Sequence, residues 1–443
     1  MARPSETLFE LLYRTANLGR PVLRRVVPKL GAKLDLAMSE RCGNVPARVG
    51  DGPCVVICAV SVGEVNATRA LAQQLTNEQD DLQVVIAAST TTGRARAAEL
   101  FGTDSSARVF AAPYPVDLRR CVRSFLDSVR PAVAVLMELE VWPGFVGVCR
   151  RRGVPVLLAN GRITDASFAQ YRKARPLLRG TFASINRALV QEDVYGQRLV
   201  DLGVPAGVVQ TVGSMKFDSA SLAFDEKTAA SMASDLGLSP GDGPVLVCGS
   251  TGPGEEAMLL DAYAGLRQQH QKLRLVIVPR KPERFDEVAE RIAERFPLVR
   301  RSKPANAPPA DAVVLIDTMG ELRSAYALAS VVVVGRTLVD LGEKQHGSDM
   351  IEPVALGKPA VVGPFTGNFA EPMRRLLAGG GIRQIQPGEL QAAVALLLND
   401  PAAADEMGQR GRAVVVQSRG ATTATARAVA ELLDADGGRS WDG

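Results

Sequence analysis

Short runs of Val, Ile, Leu and Ala recur along the whole chain, separated by stretches whose apolar residues return every three or four positions. Residues 54–60, 84–89, 109–112, 132–137, 156–160, 188–191 and 208–212 read as strands, and stretches such as 65–75 and 117–129 between them read as amphipathic helices. Near-continuous apolar strands alternating with helices predict a parallel sheet covered on both faces. After Phe217-Asp218 the pattern restarts, with strands at 245–248, 273–278, 313–316, 331–334 and 360–362. The expected class is therefore α/β, with two doubly wound parallel-sheet (Rossmann-like) domains facing across a cleft. Their boundaries are expected at 41–218 and 224–420, joined through 218–223. The last helical pattern, within 421–443, has no strand after it and is taken to cross back to the N-terminal domain.

Length agrees with this division, because 443 residues exceed one ordinary core. A chain 46% apolar and 23% charged is globular, and a net charge of +4 argues against a dedicated nucleic-acid binder. Cysteines 42, 54, 58, 121, 149 and 248 form no CxxC pair and are expected as reduced, mostly buried thiols. With only His270 and His346 available, no histidine-based metal site is expected. No apolar run is long enough for a membrane span, and no cleavable signal pattern is present, which keeps the body of the protein in the cytoplasm. Residues 1–40 are distinctive: Leu8, Leu11, Leu12 and Leu18 recur at helical spacing, followed by Arg14, Arg20, Arg24, Arg25, Lys29 and Lys33. Such a basic amphipathic segment lies on an anionic membrane surface or packs, solvated, on its own domain.

In doubly wound sheets the loops after strands carry the chemistry. After the first strand comes Ser61-Val62-Gly63-Glu64, a small-residue turn holding a carboxylate. A carboxylate there repels phosphate but is well placed to accept a proton from a hydroxyl. The anion site is then expected in the second domain. There Gly249-Ser250-Thr251-Gly252-Pro253-Gly254 offers small residues and a helix start, while Pro279-Arg280-Lys281 brings two cations to the same rim. Asp317-Thr318-Met319-Gly320-Glu321 again follows a strand. Further on, a long polar loop leads to Ser348-Asp349-Met350-Ile351-Glu352-Pro353, whose carboxylates suit ribose hydroxyls, with Ser348 as the alternative helix cap. In the first domain Glu138 and Glu140 end a strand, and alternation puts them on one side if the strand continues. Lys216 follows the last strand of that domain.

These pieces, in this order from about residue 41 to 421, resemble the Kdo (3-deoxy-D-manno-octulosonic acid) transferases. The resemblance rests on Ala59-Val60-Ser61-Val62-Gly63-Glu64, Thr91-Thr92-Gly93-Arg94, Glu138-Leu139-Glu140-Val141-Trp142-Pro143, Asn160-Gly161-Arg162 and Gln191-Glu192-Asp193. It continues through Met215-Lys216-Phe217-Asp218, Val278-Pro279-Arg280, Asp317-Thr318-Met319-Gly320-Glu321-Leu322 and Glu352-Pro353. It implies a GT-B fold and an inverting glycosyltransferase that moves Kdo from CMP-Kdo, a donor substrate rather than a cofactor, to a lipid A precursor. It implies no active-site metal and a peripheral place on the cytoplasmic face of the inner membrane, which favours the membrane role for residues 1–40. By resemblance Glu64 is the general base, and Glu138 with Lys216 stabilises the transition state. CMP would lie against Pro279, Arg280, Met319, Gly320, Glu321, Asp349, Met350, Ile351 and Glu352, with Ser250 and Thr251 as the anion turn. The chain departs from the family pattern at Cys58, at Ser214 and in the longer loop 342–349. Two rivals remain open: another GT-B enzyme using a UDP-sugar (transferase or epimerase), and a catalytically silent lipid-binding protein on this fold.

Overall fold

The computed structural model of the protein describes residues 41–436, apart from 43, 44, 46, 239, 240, 305–308, 310, 343 and 344. The basic amphipathic segment expected at 1–40 therefore lies outside the described residues. The chain divides into two compact units, one of residues 1–219 with 420–443 and one of residues 220–419.

The first unit holds a sheet of seven parallel strands in the order β3-β2-β1-β4-β5-β6-β7. They are β1 (Cys54–Ala59), β2 (Gln83–Ala88), β3 (Val109–Pro113), β4 (Val133–Met137), β5 (Val156–Gly161), β6 (Arg187–Val190) and β7 (Val209–Thr211). Every side chain of β1, β2 and β4 is buried, as two-sided coverage requires. Winding runs outward from β1 to β3, then returns to β4 on the other side, so the order reverses between β1 and β4. Crevices at such reversals are where doubly wound folds bind ligands. Helix Ala421–Asp436 packs on helix Val62–Glu78 and on β4 and β5. Its start is held by Asp218, whose carboxylate accepts the N–H groups of Gly420 at 2.7 Å and Thr422 at 2.6 Å.

The second unit repeats the plan with seven parallel strands in the order β10-β11-β9-β8-β12-β13-β14. They are β8 (Val245–Thr251), β9 (Arg274–Pro279), β10 (Leu298–Arg300), β11 (Val313–Leu315), β12 (Val331–Val334), β13 (Ala360–Val362) and β14 (Arg383–Gln384). Here the order reverses between β8 and β12. The two edge strands were not expected from the sequence. β10 is three residues long and β14 two, both lie at sheet edges and carry arginine, so neither leaves an apolar run.

One expectation is corrected outright. Cys42 and Cys121 form a disulfide across a separation of 79 residues, with Cα atoms 4.6 Å apart. Backbone pairing explains how they meet: Val116 N–H donates to Arg41 O at 3.1 Å, and Arg41 Nε to Tyr114 O at 2.7 Å. Cysteine spacing carries no trace of such a tertiary contact. The other four cysteines are free and buried. Burial pushes the Cys54 thiol up to about 12, so it acts as a small apolar side chain.

Candidate active site

At the reversal point of the first sheet, the chain leaving β1 enters helix Val62–Glu78 through a capping box. Ser61 is extended (φ −104°, ψ 164°), and its Oγ accepts the Glu64 N–H at 3.3 Å. In return the Glu64 carboxylate accepts Val60 N–H at 2.9 Å, Ser61 N–H at 3.2 Å and Ser61 Oγ–H at 2.8 Å. The carboxylate is thus fixed in place while the side chain stays half-buried. Burial, followed by the charge of Glu138, holds its proton affinity above the ordinary carboxylate value despite these three donors. The neighbouring loop closes on the same turn: Thr90 Oγ donates to Val60 O at 2.6 Å, and a Cβ on Gly93 would sit 2.6 Å from that oxygen.

Across the reversal, β4 stops at Met137 rather than continuing through Glu140. Glu138 adopts φ +51°, the left-handed region that non-glycine residues rarely occupy. Glu140 N–H then donates to Met137 O at 3.1 Å, and Pro143 opens helix Pro143–Arg151. Simple alternation therefore does not describe Glu138 and Glu140, because the turn before Pro143 ends the strand. Tertiary structure nevertheless brings both carboxylates beside Glu64. Burial, with the charges of Glu64 and Glu138, pushes Glu140 up to about 7, against the lowering effects of Arg41 and of Trp142. Trp142 Nε1–H donates to Glu140 Oε2 at 2.6 Å. The helix after Trp142 is capped from a distance by buried Asp117, which accepts Gly144 N–H at 2.9 Å and Phe145 N–H at 2.6 Å. Glu140, one of two carboxylates recognised in sequence, was assigned no role there. The signal that sets it apart, its crowding by Glu64 and Glu138, exists only in the folded chain.

Lys216 lies half-buried on the short helix Met215–Ser219, which packs against the helix opened by the Glu64 turn.

The reversal point of the second sheet is built differently. Its β8 turn was expected to present amides to an anion, yet it is closed by the protein's own carboxylates. Glu255 is fully buried, and its Oε2 accepts Gly252 N–H at 2.8 Å and Arg336 N–H at 2.6 Å. Its Oε1 accepts Thr337 N–H and Leu338 N–H, both at 2.9 Å. Glu256 accepts Thr251 Oγ–H at 2.7 Å and a bidentate pair from buried Arg284 at 2.7 and 2.9 Å. Ser250 and Thr251, expected against CMP, are thus buried at 4% and 1% exposure, and the Thr251 hydroxyl is committed within the protein. Met350 and Ile351 have their side chains wholly in the core, so a ligand there would meet backbone atoms.

Of the remaining positions Pro279 is buried as the last residue of β9, and the others stand on the rim. Arg280 is exposed directly after Pro279 at the end of β9, Met319 is exposed, and Gly320 has φ +85°. Glu321 is held by Arg301 at 3.1 Å, and Asp349 accepts Ile351 N–H at 2.9 Å. Ser348, the alternative helix cap, instead donates to Ser250 O at 3.3 Å. Burial and then the Asp349 charge push Glu352 up to about 7, with Arg323 and Arg280 opposing. Arg336, within the stretch Gly335-Arg336-Thr337-Leu338 but assigned no role from sequence, stands at the end of β12 with φ +60°. Its guanidinium donates to Gln345 O at 2.8 and 3.2 Å, and burial and the Arg280 charge lower its proton affinity. Arg280 and Arg336 end the two strands flanking β8, an arrangement suited to an anion between them.

Comparison with known proteins adds independent findings. A family model described as 3-deoxy-D-manno-octulosonic-acid transferase (kdotransferase) matches residues 37–219. A 3-deoxy-D-manno-octulosonic acid transferase of Haemophilus influenzae is 32% identical over 370 residues, 83% of this chain and 84% of that protein. The transferase of the same description from Bordetella pertussis is 34% identical over 416 residues, covering 91% of this chain and 94% of that protein. Among solved structures, a UDP-GlcNAc 2-epimerase from Neisseria meningitidis bound to UDP-GlcNAc matches with a TM-score of 0.56 at 12% identity, covering 86% of this chain and all of that one. At that identity the likeness is one of fold.

Proposed function

The chain belongs to the 3-deoxy-D-manno-octulosonic acid (Kdo) transferase family, with the GT-B fold, and from that premise we propose an inverting transfer of Kdo from CMP-Kdo to a lipid A precursor. It is a glycosyltransferase of lipopolysaccharide core biosynthesis. The observation that carries the mechanistic reading is the convergence of Glu64, Glu138 and Glu140 at the reversal point of the first sheet.

A base must be ionised and still proton-hungry, and efficiency is greatest when its proton affinity lies near the working pH. Burial and the neighbouring Glu138 carboxylate supply that condition at Glu64, while the capping box keeps its oxygens in one place. Glu64 takes the proton of the acceptor hydroxyl as that oxygen attacks the anomeric carbon of the sugar. The bond to the CMP phosphate breaks on the opposite face. Glu138 and Lys216 offset the charge that develops at the sugar, and Arg280, with Arg336 beside it, offsets charge on the departing phosphate. Pro279, Met319, Gly320, Glu321, Asp349 and Glu352 are assigned to the nucleotide, Asp349 and Glu352 as acceptors for ribose hydroxyls.

We read the reaction as metal-independent, and supply of both cations by arginine supports this. Among the described residues no helix is long and apolar enough to cross a membrane. The place at the cytoplasmic face of the inner membrane, through residues 1–40, is part of the same proposal.

Incubation with CMP-Kdo and lipid A precursor, followed by mass analysis, tests the reading. The expected product gains the mass of Kdo, CMP is released, and chelation of divalent ions leaves the rate unchanged. Release of UMP or UDP from a UDP-sugar, with none of CMP, overturns it in favour of another GT-B activity. Binding of CMP or lipid with no turnover favours a silent lipid-binding protein.

A further inference from the structure

Two sequence motifs, Asn160-Gly161-Arg162 and Gln191-Glu192-Asp193, have no part in the chemistry above. In the structure they meet at the C-terminal ends of β5 and β6. Asn160 adopts φ +53°, a left-handed conformation that asparagine tolerates better than most side chains. The parallel pairing of β5 with β6 shifts register here, between Leu158 and Gly161. The Asn160 carbonyl accepts Nε2–H of buried Gln191 at 3.1 Å, and Gln191 N–H donates to Gly161 O at 3.0 Å. Gly161 suits the close approach, since a Cβ there would meet Val190 Cγ1 at 2.9 Å.

This clamped turn aims a side chain at another element. Asn160 is 1% exposed, and its Oδ1 accepts the N–H of Met215 at 3.1 Å, across 55 residues of sequence. Met215 is the first residue of the helix that carries Lys216. Within that helix Met215 and Phe217 are core side chains at 1% and 0% exposure, and Lys216 lies between them. The N–H of Lys216 itself reaches Ser214 Oγ at 3.4 Å. A five-residue helix has little internal hydrogen bonding to hold its direction, so the attachment at its first amide fixes where the Lys216 side chain starts.

We propose that Asn160, braced by Gln191, is a positioning residue for Lys216: its side-chain oxygen seats the first turn of the lysine-bearing helix so that the ammonium meets the reacting sugar. The proposal rests on the reading of Lys216 as a transition-state group. Asn160 acts through Lys216 and touches no substrate. Its effect falls on kcat rather than on donor binding, because a misplaced charge weakens only the interaction that strengthens in the transition state.

The test compares Asn160→Gly, which keeps the left-handed backbone but removes the acceptor, with Asn160→Asp, which keeps both. With CMP-Kdo as donor, Asn160→Gly should lower kcat about ten- to a hundredfold with donor KM within about twofold, and Asn160→Asp should return to within about threefold of the parent. In a Lys216→Ala background, Asn160→Gly should cost nothing further, since residues acting as a unit are not additive. An unchanged kcat in Asn160→Gly overturns the proposal, as does an equal loss with and without Lys216. A parent-like kcat in Lys216→Ala alone overturns instead the reading of Lys216 on which it rests. If Asn160→Gly does not fold, as judged by circular dichroism, Asn160→Ser replaces it. That hydroxyl is too short to reach the Met215 amide, and the same outcomes apply.

Discussion

Glu64 and Glu255 occupy corresponding places in the two halves of the molecule. Each stands in the first turn of the helix that follows the first strand of its unit, at the point where the strand order reverses. Their surroundings differ in kind. Glu255 is fully buried and accepts four backbone N–H groups, one from its own loop and three from the loop after β12, so it ties the two strands of the reversal together. Glu64 accepts hydrogen bonds from its own turn alone, and the loop across its reversal supplies two more carboxylates instead of amides. A carboxylate whose acceptor sites are all filled by immobile donors is a strut. Burial raises the proton affinity of both, but only the half-buried one, beside a like charge and with acceptor capacity to spare, can take a proton from a substrate. Position in the fold allows either, and the neighbouring loop decides.

The same substitution at both positions separates the two roles. Glu64→Gln should lower the transfer rate about a hundred- to ten-thousandfold, the usual range for a lost general base. Its folding should suffer less than that of the Glu255 variant, because Gln still accepts the Ser61 N–H and leaves only the Val60 N–H unsatisfied, at about 1–3 kcal/mol. Initial rates alongside CMP binding check this, and a rate within threefold of the parent would remove Glu64 from the mechanism. Glu255→Gln should do the reverse. Either orientation of the amide turns an NH2 group toward two backbone donors, which costs about 2–6 kcal/mol at about 1–3 kcal/mol per unsatisfied donor. Urea unfolding measures it, and an unchanged midpoint would dissolve the contrast.

Acid dependence sharpens the comparison further. Glu140 in the first unit and Glu352 in the second are both raised to about 7 from 4.5. Between these values the folded chain holds protons that the unfolded chain has released. The stability each contributes is complete below 4.5 and is lost as pH rises through about 7. Glu140→Gln should therefore flatten part of the fall in thermal midpoint across that window, and Glu352→Gln a further part. Glu64, Glu138 and Arg41 are the charges acting on Glu140, while Asp349, Arg323 and Arg280 act on Glu352, so the two effects should add. The smallest effect is expected from Trp142→Phe. Loss of the indole N–H removes a donor that favours ionised Glu140, so the window over which the thermal midpoint falls should extend to higher pH.

Much of the fold was legible because parallel strands buried on both faces leave unbroken apolar runs, as in 54–60 and 245–248. Edge strands were not, since β14 is two exposed residues with no apolar signature. The acidic turn at Glu64 and the exposed Arg280 were legible as well, each following a strand as a polar interruption. The burial of Ser250, Thr251, Met350 and Ile351 was not legible. A small-residue turn or a helix start announces donors and direction, but not whether the protein consumes those donors itself. The Cys42–Cys121 pair and the cap from Asp117 were likewise beyond reach, being contacts between distant segments.

The sequence by itself determined the alternation of strands and helices, the restart after Phe217, and which residue types stand at each strand's end. Those follow from local periodicity and from residue chemistry, which need no knowledge of neighbours. Only the tertiary structure decided that Glu138 and Glu140 crowd Glu64, that Glu255 fills its own anion cradle, and that Asn160 reaches the helix of Lys216. Burial, electrostatic crowding and hydrogen-bond satisfaction depend on which loops lie side by side, and strand order sets that.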